Sequence, residues 1–263
     1  MSLSITSHID FDRDSKRGSE IITSVALDAT FDFAKSTEDY GDVLALILRA
    51  NQHEGRFAGM IVNDIASPLD ACSQFITCRV GGRIVGCVRL TAVDGDRSKS
   101  PYAAAGHAIP DWIWNTGFVE AHSLAIDPTL QGAGLLVPIA TRMACSAYAS
   151  GYDLLLAGAA LDLLSFYRHV GFQELERRGV TPRPGWSFNS ALLLMNLPAI
   201  AHDPPRGRWT GLVAKALSTV ERERSGTAAP RLMRCSASPR GRYSVPVPAR
   251  PDQRMDCSGR AAS

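Results

Sequence analysis

The chain has 263 residues, 45% of them hydrophobic and 21% charged, with a formal net charge of +2, enough for one full core with or without a tail. The charge is split: from Ala201 onward twelve Lys and Arg stand against five Asp and Glu, so a mildly acidic body carries a basic end and does not read as a nucleic-acid binder. The six cysteines show no spacing for zinc or a disulfide framework, MSLSITSHIDFDRDSKRG lacks an apolar signal segment, and no apolar run is long enough to cross a bilayer; the expectation is a soluble, cytoplasmic protein without a metal.

Residues 1–19 are polar and read as loose. EIITSVALDA, Glu20 to Ala29, is β-branched enough for a first strand. A helix is predicted over Tyr40–His53, where Val43, Leu44, Ile47 and Leu48 recur at helical spacing, with Asp39 as its cap. A turn-rich link, Asp64 to Asp70, leads to two strands, Gln74–Val80 and Arg83–Val93, joined at Gly81-Gly82 as a hairpin. From Asp94 to Asn115 the glycines, prolines and lack of periodicity predict a long surface excursion ending in Trp112 and Trp114. In a transferase those tryptophans wall the substrate pocket; otherwise they anchor the loop to the core.

Phe118 to Leu136, FVEAHSLAIDPTLQGAGLL, organises the rest. A strand stops at Asp127-Pro128, and Gln131-Gly132-Ala133-Gly134 opens a helix predicted to run to about Ser150, with Pro138 bending it or delaying its start. Glycines let backbone N–H groups approach a ligand, and a helix start carries partial positive charge, so the junction can seat phosphate. A buried strand Asp153–Gly158, a short helix Ala159–His169 ended by Gly171, and strands Phe172–Glu176 and Ala191–Leu197 follow. Trp209, Leu212, Val213, Ala216, Leu217 and Val220 then fall on one helical face. That helix docks on the domain, lies on a membrane or meets a partner. From Gly226 the Arg-, Ser- and Pro-rich sequence reads as disordered.

Alternating strands and helices imply an α/β chain with a mixed sheet and helices on both faces. The QGAG stretch resembles the acyl-coenzyme A signature of the GNAT acyltransferase superfamily, with Gly132 and Gly134 following Gln131 sooner than usual, and LLSFYRHVGF is similar to the family's C-terminal helix and Gly-Phe turn. SPLDACSQFITCRVGGRIVGCVRL, Ser67 to Leu90, followed by VEAHSLAID, Val119 to Asp127, is similar to the branch of N-acyl amino acid synthases and acyl-homoserine lactone synthases, with Asp70 before the hairpin, Arg89 in its second strand and Glu120 in the next. That branch usually continues Ser-Arg where this chain has His122-Ser123. The resemblance covers roughly Glu20 to Leu197 and implies a domain over 20–199; helical spacing and composition then make 200–225 a helical extension and 226–263 a basic tail. It also implies a donor seat at Leu124, Ala125, Ile126, Gln131, Gly132, Ala133, Gly134 and Leu135, and a substrate-binding role for Arg89 beside Trp112 and Trp114. The donor would be acyl-coenzyme A or the acyl-phosphopantetheine of an acyl carrier protein, with no tightly bound cofactor.

An amine attacks a thioester only when neutral, so such an enzyme needs a base, donors for the oxyanion and an acid for the thiolate. Glu120 and His122, two apart on one strand, share a face about 7 Å apart, room for one water. Either is the base. The alternative for Glu120 is a buried carboxylate paired with Arg89 or Arg79, and for His122 a hydrogen-bonded core residue. By resemblance Tyr167 is the acid; its alternative is core packing. The expected activity is transfer of an acyl group, long-chain as the resemblance implies, to an amino acid. An acetyl-coenzyme A-dependent N-acetyltransferase and a non-catalytic thioester sensor stand beside it.

Overall fold

A computed structural model describes residues 28–178 and 190–224. The segment 1–19, nearly all of the strand expected over 20–29 and the tail 226–263 lie outside the described residues.

The elements run β1 (Ala29–Phe33), α1 (Thr37–His53), α2 (Val62–Ile65), β2 (Ser73–Val80), β3 (Arg83–Val93), α3 (Pro101–Ala104), α4 (Asp111–Thr116), β4 (Phe118–Ile126), α5 (Leu136–Ala149), β5 (Leu154–Ala160), α6 (Leu164–Val170), β6 (Gln173–Arg178), β7 (Ser190–Asn196), α7 (Leu197–His202) and α8 (Arg208–Arg224). Among the described residues seven strands form one mixed sheet in the order β1-β2-β3-β4-β5-β7-β6. Only β4 and β5 are parallel; every other neighbouring pair is antiparallel.

The β2–β3 hairpin turns at Gly81 and Gly82, with φ of 57° and 80°, the twist that matches right-handed strands. The cap of α1 is Ser36, whose hydroxyl accepts from Asp39 N–H, rather than Asp39 itself. Asp39 sits inside the first turn, where its carboxylate accepts from Lys35 N–H and pairs with Arg79 at 2.5 Å. Pro138 falls in the first turn of α5, where a missing N–H costs no helical bond, so the helix neither bends nor starts late on its account. The excursion 94–116 folds into a 3-10 turn, α3 and α4 instead of a bare loop.

One face of the sheet, with Ile76, Val88, Leu90, Ala121, Leu155 and Met195, packs on α5, α6, α7 and α8. On the opposite face α1 covers Phe75, Ile84, Cys87 and Ala125, and α4 covers Val93, Phe118, Leu154 and Leu156. The amphipathic helix α8 docks: Val213 and Leu217 are fully buried in the first cluster, and its contacts are with α5, α6 and α7. Of the stripe read from the sequence, Val213 and Leu217 are buried, Trp209, Ala216 and Val220 are half-buried, and Leu212 is exposed. No described helix is long and apolar enough to cross a membrane. Among the described residues, Cys78, Cys87 and Cys145 are free thiols.

If α8 is part of the core, Leu217→Ala leaves a cavity and lowers unfolding stability by about 2–5 kcal/mol, read from urea denaturation. A helix merely lying against the domain would give a change near zero.

Candidate active site

A polar strip crosses the sheet between the two apolar clusters of its α1 face. Along β3 that face reads Cys87, Arg89, Thr91, Val93, and along β4 it reads Phe118, Glu120, His122 and then Ala125. Arg89 lies opposite His122 and Thr91 opposite Glu120. The step from His122 to Ala125 is a bulge: Val88 of β3 faces both Ser123 and Leu124, and Ser123 takes a φ of 53°. Bulges bend a strand and break its pairing locally, often beside an active site. Here the bulge starts just after the strip.

Glu120 has no exposed surface and His122 is 8% exposed. His122 Nε2 lies 3.0 Å from one Glu120 oxygen, and the Ser100 hydroxyl donates to the other. The contact is thus direct rather than bridged by water. Nor is Glu120 paired with either arginine considered from the sequence, since Arg79 holds Asp39 and Arg89 Nη1 donates to Asp70 at 2.6 Å. Asp70 is locked in turn by the Tyr40 hydroxyl at 2.7 Å and the Ser67 N–H at 2.8 Å. Arg89 Nε is buried with no hydrogen-bond partner among the described residues. Burial holds the His122 imidazole below the ordinary histidine range, against the opposing pull of Glu120, so it is neutral at pH 7 and able to accept a proton.

Beyond this pair the sheet opens. β4 and β5 pair at Val119–Leu155, Glu120–Leu156 and Ala121–Ala157 and no further, although β4 runs on to Ile126 and β5 to Ala160. Leu124 and Ile126 are half-buried and Ala125 is buried; Ala125 and Ile126 pair with Cys87 and Gly86 of β3. Gln131, Gly132 and Ala133 are exposed, Gly134 is half-buried and Leu135 buried. Gly132 and Gly134 have φ of 82° and 79°, a conformation that glycine adopts without strain. The N–H groups of Gly132, Gly134 and Leu135 have no hydrogen-bond partner among the described residues, and α5 has no side-chain cap. The loop thus presents free donors at a helix start.

Tyr167, on α6, is 4% exposed and packs edge-on against Phe166 and Phe172, and burial pushes its phenol up to about 12. The tryptophans part company. Trp112 is 52% exposed, whereas Trp114 is buried against Phe118 and its indole N–H donates to the Ile109 carbonyl. Trp114 therefore anchors the excursion, and the two rings do not line one channel. Ser100 and Tyr102, which touch Glu120 and His122, were not singled out from the sequence; the cap and one residue of a four-residue helix carry no periodic signal. Burial pushes the Cys87 thiol up to about 12 and those of Cys78 and Cys145 to about 11, so none is poised as a nucleophile. Among the described residues no cluster of His, Cys, Asp and Glu is arranged to hold a metal.

The depressed His122 has a consequence for stability. The unfolded chain binds a proton on this residue near its ordinary value of about 6.5, while the folded chain resists it until lower pH. Stability is therefore kept above that value and lost as pH falls from it through the folded one, and His122→Gln should flatten this slope in pH-dependent thermal melts. An unchanged slope would show that the folded imidazole is not held low.

No family model and no curated protein matches the sequence. Solved structures do. FeeM, an N-acyl amino acid synthase from uncultured soil microbes, superposes with a TM-score of 0.54 at 15% identity, over 71% of this chain and 97% of its own. An uncharacterized protein from Bacillus halodurans superposes with a TM-score of 0.51 at 12% identity, over 84% and 97%. An N-acetyltransferase from Staphylococcus aureus gives 0.47 at 14% identity, over 64% and 98%. The seven-stranded mixed sheet, its helices on both faces and its β4–β5 fork give this chain the fold of the GNAT acyltransferases.

Proposed function

We propose that the protein is an N-acyltransferase that moves an acyl group from a pantetheine thioester to the primary amine of an amino acid. The observation that carries this is the buried Glu120–His122 pair placed where β4 and β5 part, next to a strand edge with no β partner.

The donor's pyrophosphate or phosphate would lie against the free N–H groups of Gly132, Gly134 and Leu135, helped by the helix start behind them. Its pantetheine arm would follow β4 along Leu124 to Ile126, bringing the thioester to the fork. An acceptor amine beside the neutral His122 gives up a proton as its nitrogen attacks the thioester carbon. Backbone N–H groups of β4 meet the oxyanion, the C–S bond breaks, and the thiolate takes a proton from the imidazolium. Glu120 holds the ring and stabilises its charged form. Tyr167, raised to about 12, is too weak an acid to protonate a thiolate whose thiol has an ordinary pKa near 8.5, so its part is a hydrogen bond to the sulfur rather than proton transfer.

Arg89 supports an acceptor with a carboxylate. It faces His122 across the ladder and spends Nη1 on Asp70, while Nε has no partner. A guanidinium edge of this kind suits a carboxylate, and pairing would offset the cost of an unsatisfied buried donor. Coenzyme A and acyl carrier protein present the same arm, and they are distinguished by which thioester the protein consumes.

Thiol release from acyl-coenzyme A or acyl carrier protein, measured with and without a panel of amino acids, tests this directly. Glu120→Gln should lower the amine-dependent rate by about 10²-fold or more. Arg89→Ala should raise KM for amino acids about tenfold or more, with little effect on amines lacking a carboxylate. Gly132→Ala should raise KM for the donor while leaving kcat nearly unchanged, because a strained loop weakens ground-state and transition-state binding alike. If the protein binds coenzyme A, releases no thiol with any amine and is indifferent to Glu120→Gln, it is a thioester sensor and the transferase assignment is wrong.

A further inference from the structure

The fork between β4 and β5 is occupied by the protein itself. Tyr102, from α3, sends its hydroxyl between the strands immediately beyond their last pair: it accepts from the Gly158 N–H at 2.5 Å and donates to the Ala121 carbonyl. One oxygen thus takes a donor from one strand and gives to an acceptor on the other. A secondary amide offers the same pairing, its carbonyl for Gly158 N–H and its N–H for Ala121 oxygen.

Two further observations show that this seat is shaped for the ring. A Cβ on Gly158 would lie 2.7 Å from a Tyr102 ring carbon and 3.2 Å from its hydroxyl oxygen, and Gly158 is not in the positive-φ region, so close approach and not backbone conformation requires glycine there. The ring also covers His122, with centroids 4.4 Å apart, and meets His107 edge-on at 5.9 Å. Two residues earlier, fully buried Ser100 donates to Glu120 while accepting from the Ala103 N–H at 3.0 Å, so the cap of α3 and the carboxylate share one hydroxyl. Tyr102 and Ser100 thus belong to one four-residue helix and its cap, so a single short element carries both the group in the fork and the donor to Glu120.

We propose that Tyr102 is a positioning residue that holds the donor's slot: an amide of the pantetheine arm displaces its hydroxyl from Gly158 and Ala121, and the same displacement uncovers His122 and frees Glu120 from Ser100. This rests on the donor placement given under the proposed function and adds to it an order of events. Donor enters first, and the base becomes available only when a thioester is present. The empty enzyme keeps its base covered.

A slot that must first be vacated lowers apparent donor affinity by the fraction of molecules in which it is open. Tyr102→Phe removes both hydrogen bonds of the hydroxyl and should tighten coenzyme A binding about fivefold or more, read by titration calorimetry against the wild type. In the unsubstituted protein, amide hydrogen exchange across residues 97–106 should quicken when coenzyme A is added. Tyr102→Phe binding coenzyme A no more tightly, or exchange across that segment slowing or staying constant on binding, overturns the role of Tyr102 while the donor seat stands. Failure of both proteins to bind coenzyme A or phosphopantetheine overturns the seat as well, and with it the proposed transferase.

Discussion

Burying a carboxylate beside an imidazole and a carboxylate beside a guanidinium, on one face of one sheet, is the constraint around which this domain is arranged. Isolated charges inside a protein are costly, and each here is held by a specific neighbour: Glu120 by His122 and Ser100, Arg89 by Asp70, and Asp70 by Tyr40 and Ser67. The strip is bounded by apolar packing on both sides, the α1 cluster at Cys87 and Ala125 and the α4 cluster at Val93 and Phe118. Those clusters exclude water from the flanks. What the two clusters leave between them runs to the line where β4 and β5 diverge, which Tyr102 fills.

The divergence has local causes. Ser123 at φ 53° puts two residues of β4 opposite one of β3, which bends the strand just past His122. Tyr102 keeps the two strands apart at the first position where they could have paired again. On the far side, the glycine loop and the uncapped start of α5 carry N–H groups with no partner among the described residues. A base pair, an open strand edge and a set of anion-seeking donors thus lie along one strand and the helix that follows it. Their sequence neighbours are few residues apart, which is why one 19-residue stretch carries so much of the chemistry.

The other face of the sheet is nearly pure packing. Ile76, Val88, Leu90, Ala121, Leu155 and Met195 meet α5, α6 and α7, while α8, from beyond the last strand, packs on those helices through Val213 and Leu217. That rigid side keeps the β3–β4 register fixed, and a slip of one residue would turn Glu120 and His122 into the hydrocarbon layer. Stability and chemistry are divided between the two faces.

The hairpin at Gly81-Gly82, the strand ending at Asp127-Pro128, the helix after Gly134 and the amphipathic helix around Leu217 were all legible in the sequence, because turn residues and hydrophobic period are local properties. So was the sharing of a face by Glu120 and His122, which follows from strand alternation alone. The first described strand, Ala29–Phe33, is too short and too mixed to announce itself, and Ser36 in place of Asp39 as a cap is a difference of one helical turn. Which partner each buried charge takes, that Trp114 turns inward while Trp112 faces solvent, and that Tyr102 lies between two strands that are 37 residues apart at Ala121 and Gly158, were decided only by tertiary structure. Sequence fixes periodicity along the chain; partners across the chain depend on register, bulges and packing, which no local pattern encodes.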